Sequence, residues 1–463
     1  MILQELREME INLMKKDSID MLTCRLNISL ILFALPIALS SMLQQLFNAA
    51  DTYVVGRFAD SDALAAVGTN GEIVALLVTL SAGLSIGSNV LIARCIGKKR
   101  TDKINPIVHT SILAALIIGI LFAASGLIIA RPLLVLIKTP DEILTSAVRY
   151  LKIYFLGMPF LMIYDFGSAI LRANGNSRYP FIVLTLSGII NVVLNLILVV
   201  FCNAGVAGVA LATAIATAFS AIIILIRLHN ENNEFNLSLK MLTINKSYLA
   251  DILKIGIPSA IQGAVFCFAN IFVQASVNSF GTIATAGSTI AMNFEYFDYY
   301  MITAFSQTAT TFVSQNYAAG HMKRCMQIII KCTLFSILLS ALITVPITVF
   351  RTQFSRLFSS DSAVCAAACQ RIALILAFEP VCGLYEVPAG ILRGTGHAVL
   401  PAVITIIGTC LLRIVWIFTV FSRFHSLDIL FIVFPVSWVV TTIFMLCATF
   451  FIGIFPRKQQ LQA

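Results

Sequence analysis

Ile170-Leu171-Arg172-Ala173-Asn174-Gly175, followed by Pro180, returns 221 residues later as Ile391-Leu392-Arg393-Gly394-Thr395-Gly396, followed by Pro401. Chance is a poor explanation for an arginine, a glycine and a proline at the same spacings, so the chain is read as two repeats. Upstream, Tyr164-Asp165 aligns with Tyr385-Glu386, and Pro159 with Pro380, at the same offset. Nearer the start of each half, Pro36 and Pro258, Asn48 and Asn270, and Phe58 and Phe280 are 222 apart; Gly97 and Gly320, each followed by a basic loop, are 223 apart.

Composition says what is being repeated. Of 463 residues, 59% are hydrophobic and 11% charged, where a soluble domain has roughly 45–50% and 25%; mean hydropathy is +0.93. A soluble enzyme or binding module of this length would leave too much apolar surface in water. Apolar runs at 28–52, 64–93, 107–130, 149–171, 180–202, 205–228, 255–280, 284–312, 327–350, 370–392, 401–421 and 428–454 are nearly all long enough for helices, and none alternates like a barrel strand. The expected fold is an all-α membrane protein with twelve transmembrane helices in two pseudo-symmetric six-helix lobes. Its expected parts are an N-terminal segment (1–27), an N-lobe (28–228), a linker (229–253), a C-lobe (254–455) and a tail (456–463). Six spans per half enter the membrane in the same orientation, which puts the pseudo-twofold axis along the membrane normal and a substrate site between the halves near the midplane.

The formal charge of +9 does not indicate nucleic acid, because the basic residues form no stripe interleaved with stacking aromatics. They fall mostly in alternate loops: Arg94, Lys98, Lys99, Arg100 and Lys103 in one, Lys323, Arg324 and Lys331 in another, with Arg7, Lys15 and Lys16 at one end of the chain and Arg457 and Lys458 at the other. By the positive-inside rule both termini are cytoplasmic, and the expected location is the cytoplasmic (inner) membrane of a bacterium. Eleven cysteines without CxxC or zinc-type spacing read as buried thiols, and residues 1–25 as a cytoplasmic lead-in rather than a signal peptide.

Polar residues inside the spans carry the functional argument. Ser41, Gln44, Asn48, Asp51 and Thr52 share one face of the first helix. Ser187, Asn191 and Asn195 form a stripe on the fifth, Thr213, Thr217 and Ser220 on the sixth, and Asn270, Gln274 and Asn278 on the seventh. Hydrogen bonding between packed helices explains the Ser/Thr stripes. It explains Asp51 less well, since an ionisable group in hydrocarbon costs several kcal/mol and must face protein or water. With no basic residue on its own helix face, Asp51 is the expected binder of a proton or cation. Glu295 and Asp298 lie one turn apart in the eighth span, where Tyr296, Tyr299 and Tyr300 are within reach to hydrogen-bond them. Asp165 and Glu386 each precede an arginine, Arg172 or Arg393, by seven residues, and are read as structural ion pairs or gate latches.

Gly83-Leu84-Ser85-Ile86-Gly87 matches the GxSxG pattern of hydrolases, but it lies inside an apolar helix without the strand-turn-helix elbow that chemistry needs. Small residues four apart indicate close helix contact instead. No HExxH, P-loop or GxGxxG is present, so no catalytic residue, metal site or cofactor is expected.

Pro36 through Asn48-Ala49-Ala50-Asp51, Val54-Val55-Gly56-Arg57-Phe58 and Ala63-Leu64-Ala65-Ala66-Val67-Gly68 resemble the first two helices of the multidrug and toxic compound extrusion (MATE) family, in its bacterial DinF-like branch. Ala93 to Gly97, the paired ILRxxG motifs and Thr311 to Gly320 extend the resemblance over about residues 28–455. It implies two six-helix lobes in a rocker-switch cycle that exports cationic, often aromatic compounds against inward protons or sodium. It makes Asp51 the coupling acid, Gln44 a cavity-lining neighbour, and Asn191 and Thr213 its polar partners. Asn195 stands where many relatives have aspartate, which weakens a site for a hard cation and favours the proton over sodium. In the second lobe Phe266 and Cys382 replace acids of the NorM-like branch, and Asn293 replaces an arginine two residues before Glu295, so an ion pair built on that arginine is absent. The expected function is therefore antiport of amphipathic, cationic compounds, with Asn48, Asn270, Gln274 and Asn278 lining the cavity and membrane lipid around a monomer. A lipid-linked precursor flippase of the same superfamily is the nearer rival, disfavoured by the scarcity of intramembrane arginines, of which Arg413 is the clearest. A membrane sensor or enzyme without net flux is the distant one.

Overall fold

The repeat is visible in helix lengths. The computed structural model describes residues 18–58 and 61–451; Arg7, Lys15 and Lys16 of the N-terminal lead-in, and Arg457 and Lys458 of the tail, lie outside the described residues. Among the described residues twelve helices are long enough to span a bilayer. In the first repeat these are α1 Leu26–Phe58, α2 Ser61–Gly97, α3 Ile104–Leu136, α4 Asp141–Ala173, α5 Arg178–Phe201 and α6 Gly205–His229. In the second they are α7 Lys246–Asn278, α8 Thr282–Ala318, α9 Met322–Val349, α10 Ser362–Gly394, α11 Val399–Phe421 and α12 Leu427–Phe451. Both α1 and α7 have 33 residues, α2 and α8 have 37, and α4 and α10 have 33. The all-α, twelve-helix expectation holds.

Helix ends repeat as well. Gly175 and Gly396 take φ of +89° and +88°, the left-handed turn that glycine adopts without a Cβ penalty. The amides behind them close the same bond, Asn176 N to Leu171 O at 3.0 Å and His397 N to Leu392 O at 2.8 Å. The Gly97–Gly320 alignment needs correction. Gly97 is the last residue of α2, and the left-handed position is Lys99, φ +54°, against Gly320, φ +80°. Arg100 N to Cys95 O and His321 N to Asn316 O are both 2.9 Å, so the register here is 221, as in the ILRxxG turns.

Eleven of the helices are long and apolar enough to cross a membrane. The twelfth, α8, is the polar one, and its hydroxyls are used in packing. Ser306 Oγ donates to Glu386 O at 2.6 Å, Thr310 Oγ1 to Gly390 O at 2.9 Å and Ser314 Oγ to Gly394 O at 3.1 Å. This ladder, one rung per four residues, satisfies buried hydroxyls that hydrocarbon would leave unpaired.

The chain forms two compact units. One holds Leu39–Ala260; the other holds Met21–Ala38 and the chain from Ile261 on. The division cuts α1 just after Pro36 and α7 just after Pro258. In the first unit the early part of α7 lies on α2, where a Cβ on Gly83 would stand 2.5 Å from Ala260 Cα and one on Gly87 would overlap Ile252 O. The GxSxG match is thus a helix contact. In the second unit the early part of α1 packs on α8 through an edge-to-face pair, Phe33 and Phe312, with centroids 5.4 Å apart. All eleven cysteines are free. Cys202 and Cys447 are exposed, which corrects the expectation of buried thiols; Cys202 follows the end of α5 and Cys447 lies in the last turns of α12.

Candidate functional site

In the first unit, glycine at position 188 lets the Phe47 ring lie directly on α5, in space a Cβ would occupy. One turn farther along α1, that contact delivers Asp51 to Asn195. Asp51 is 7% exposed. Its Oδ1 accepts from Asn195 Nδ2, and its Oδ2 from Thr213 Oγ1 at 3.4 Å. Asn195 Nδ2 also reaches Asn191 Oδ1 at 3.3 Å, and Asn191 Nδ2 donates to Thr213 Oγ1 at 3.2 Å. Three helices therefore close one network around a single carboxyl, and each of these donors is neutral. Among the described residues no hydrogen-bond donor reaches Asn195 Oδ1, which is fully buried. Directly after Asn195 the helix widens into a π-helical stretch, Leu196–Phe201, a departure from α geometry that is frequent at functional sites. Tyr154, Met158, Leu161 and Thr217 line a small cavity beside Thr213, and none of the first three was singled out in the sequence.

Gln44 is half-buried and Asn48 exposed on the same helix. Asp165 accepts from Ser81 Oγ at 2.5 Å. Among the described residues it makes no ion pair with Arg172, whereas its counterpart Glu386 lies 3.7 Å from Arg393. The expected symmetry of that pair therefore holds in one repeat only.

The second unit contains a cavity lined by Phe266, Asn270, Gln274, Tyr299, Cys382 and Trp438, among others, with about 600 Å³ of empty space when its open mouth is included. Asn270 and Gln274 are among its lining residues. Asn278 does not reach it; it is exposed and takes the Gln274 Nε2 donor at 2.9 Å. Glu295 lines the cavity in a bidentate pair with Arg371, Nε to Oε1 and Nη2 to Oε2 both at 2.7 Å, while Arg371 Nη1 donates to Ser288 Oγ at 2.6 Å. Glu295 is ion-paired despite Asn293, because the cation comes from α10. Asp298, fully buried, accepts from Ser340 Oγ at 2.6 Å. Of the tyrosines beside these acids, Tyr299 donates elsewhere, to Glu386 Oε1 at 3.1 Å. Arg371 and Glu379 went unread in the sequence. Both lie on the broken helix α10, which turns 3₁₀-helical over Leu376–Cys382 around Pro380.

The chain is 25% identical over 409 residues to the "Probable multidrug resistance protein YoeA" of Bacillus subtilis, covering 87% of this chain and 88% of that one. It is 28% identical over 405 residues to the "Probable multidrug resistance protein NorM" of Thermotoga maritima, covering 86% of each. Its fold matches a multidrug resistance MATE family transporter of the MOP superfamily, solved in an outward-facing conformation, with a TM-score of 0.87 at 19% identity, covering 94% of this chain and 98% of the other. The sequence profile described as MatE matches twice, over residues 36–197 and again over 258–419, one match per repeat, and the chain belongs to the MatE family.

Proposed function

We propose that this protein is a secondary active efflux transporter that exports amphipathic, cationic organic compounds in exchange for protons, by alternating access in a bacterial cytoplasmic membrane. The observation that carries this reading is Asp51, nearly out of water and held, among the described residues, by amide and hydroxyl donors. A carboxylate clamped by a guanidinium keeps its charge through a cycle; one held by neutral groups is free to take up and release a proton. Asn195 supplies the matching device. Its Nδ2 donates to the charged acid, and its unpartnered Oδ1, after a flip of the amide, accepts from the protonated one. The cycle runs from proton uptake outside, through substrate release and reorientation, to proton loss inside. A single carboxyl is a poorer cage for sodium, which favours several oxygen ligands; the proton is therefore the proposed coupling ion. Membrane lipid surrounds a monomer with both termini in the cytoplasm, and no enzymatic turnover is involved.

The test is flux in proteoliposomes with ΔpH and the sodium gradient set independently, against a panel of cationic dyes. Accumulation driven by ΔpH alone, lost in Asp51→Asn, supports the reading. Accumulation that follows sodium alone, or that persists in Asp51→Asn, overturns it.

A further inference from the structure

The stretch between α6 and α7, residues 230–245, lies wholly in the first unit and is laced to the start of α3. Its apolar contacts are Phe235 and Leu237, both buried, which join the cluster that Ile104, Ile107 and Val108 of α3 form with Leu228 of α6. Its polar contacts come from three residues in the first two turns of α3. Asn105 Nδ2 donates to Asn236 O at 2.7 Å, and Thr110 Oγ1 donates to Thr243 O at 3.3 Å and accepts from Asn245 N at 3.2 Å. His109 holds the middle.

His109 is 2% exposed, and its two partners fix its tautomer. Nδ1 lies 2.8 Å from Asn105 O, a carbonyl, and so must carry the proton; Nε2 lies 3.0 Å from Ser238 N, a backbone donor, and so must be bare. Only the neutral ring can make both bonds. A second proton has only Nε2 to go to, where it would meet the Ser238 N–H as donor against donor and leave that amide without its acceptor. Among the described residues no carboxylate lies within ion-pair distance of His109 to hold the resulting charge.

The elements packed here are also mainly basic: Arg94, Lys98 and Lys99 at the end of α2, Arg100 and Lys103 before α3, Arg172 on α4, Arg178 on α5, Arg227 on α6 and Lys240 on the linker. The acids are Asp102, Asp165, Glu231 and Glu234; Asp165 takes the Ser81 hydroxyl, and Glu231 pairs with Arg227 at 3.0 Å. The uncharged titratable groups are Cys95, Tyr164, Tyr179 and Tyr248. The other histidine, His229 at the end of α6, provides the contrast. Its Nδ1 lies 2.8 Å from Leu237 O, so the ring donates there whether neutral or charged, and protonation leaves that bond in place.

We infer that His109 is a pH-operated latch: neutral, it pins the linker between α6 and α7 to α3 through the Ser238 amide, and protonated, it lets that stretch go. Under the efflux reading this end of the molecule faces the cytoplasm, into which the exchanged protons are delivered, so the linker is released as the cell interior acidifies. That consequence rests on the efflux reading; the latch does not.

The test is amide hydrogen exchange of the full chain in detergent, read by mass spectrometry on peptides covering 230–245 and divided by the intrinsic exchange rate at each pH. Protection of these peptides is expected to fall by about tenfold between about pH 8 and about pH 5, the range over which histidine changes charge, while α3 beyond Ile112 keeps its own. His109→Gln, whose side-chain amide offers an acceptor and a donor without titrating, is expected to abolish the step, and His229→Gln to retain it. Protection of 230–245 that ignores pH in the unaltered chain overturns the inference, and that comparison needs no variant to fold. A step that persists in His109→Gln, one that vanishes in His229→Gln, or an equal fall along the whole of α3 overturns it too. Because neither gradient nor substrate is involved, a chain that shows the step yet fails to accumulate dye in vesicles keeps the latch and loses the efflux reading.

Discussion

Asp51 in the first unit and Glu295 in the second are both nearly out of water, 7% and 9% exposed, yet their surroundings differ in kind. Asp51 is met by Asn195 and Thr213, Glu295 by a guanidinium at 2.7 Å through both oxygens. The first arrangement stabilises a carboxyl in either charge state. The second pairs the carboxylate with a guanidinium, and removing either partner would strand the other. The two units of a duplicated fold thus hold these acids on non-equivalent helices, α1 in one and α8 in the other, and in surroundings of different kind.

The largest way to break this comparison is to remove each acid in turn. Asp51→Asn keeps the shape and one accepting oxygen but not the titrating group. It is expected to abolish dye accumulation driven by ΔpH in proteoliposomes while leaving the thermal unfolding midpoint close to that of the parent. Glu295→Gln should do the reverse: an unpaired buried Arg371 destabilises by about 3–5 kcal/mol, read as a lowered Tm in detergent, with ΔpH dependence retained in the protein that remains folded. Should Glu295→Gln instead abolish coupling at unchanged stability, the division of labour between the units is wrong.

A smaller effect sharpens the first unit alone. Asn195→Asp puts a second carboxyl beside Asp51, in place of the amide that now donates to it. Two adjacent carboxylates repel, and a cation that bridges them relieves the repulsion. The variant is expected to gain sodium-stimulated flux, measured at zero ΔpH with an inward sodium gradient, where the parent shows none. Flux by the variant that ignores sodium would count against the argument that the missing second acid selects the proton.

How much of this was legible in the sequence depends on how far apart the cooperating residues lie. Turns and kinks are local, so Pro36, Pro258, Gly175 and Gly396 announced the duplication and the twelve helices. Stripes are local too: Gln44, Asn48 and Asp51 share a face by spacing alone. Partners on other helices leave no such trace. Asn191, Asn195 and Thr213 were linked to Asp51 only through the family resemblance. Nothing linked Arg371 to Glu295, 76 residues away, because an arginine near a helix start reads as a topology charge. Glu379 was missed for a related reason: beside Pro380 it looks like a residue of a break, and only the fold carries that break into the wall of a cavity.

The smallest test compares the two repeats at a single backbone position. Lys99 and Gly320 occupy the same turn, both with φ in the left-handed region, and Gly320 has open space where a Cβ would stand. Sterics with neighbouring side chains are therefore excluded there, leaving only the backbone preference. An L-residue in that region costs about 1–2 kcal/mol, and glycine returns part of the gain through its freer unfolded state, about 0.4–1 kcal/mol. Lys99→Gly is accordingly expected to raise stability by up to about 1 kcal/mol, and Gly320→Ala to lower it by a similar amount. Both would be read as Tm shifts in detergent, with Lys99→Ala as the control for loss of the charge. If the two substitutions shift Tm in the same direction, the turns are not equivalent and the 221-residue register at this position fails, although the paired turns after Arg172 and Arg393 would still carry the duplication.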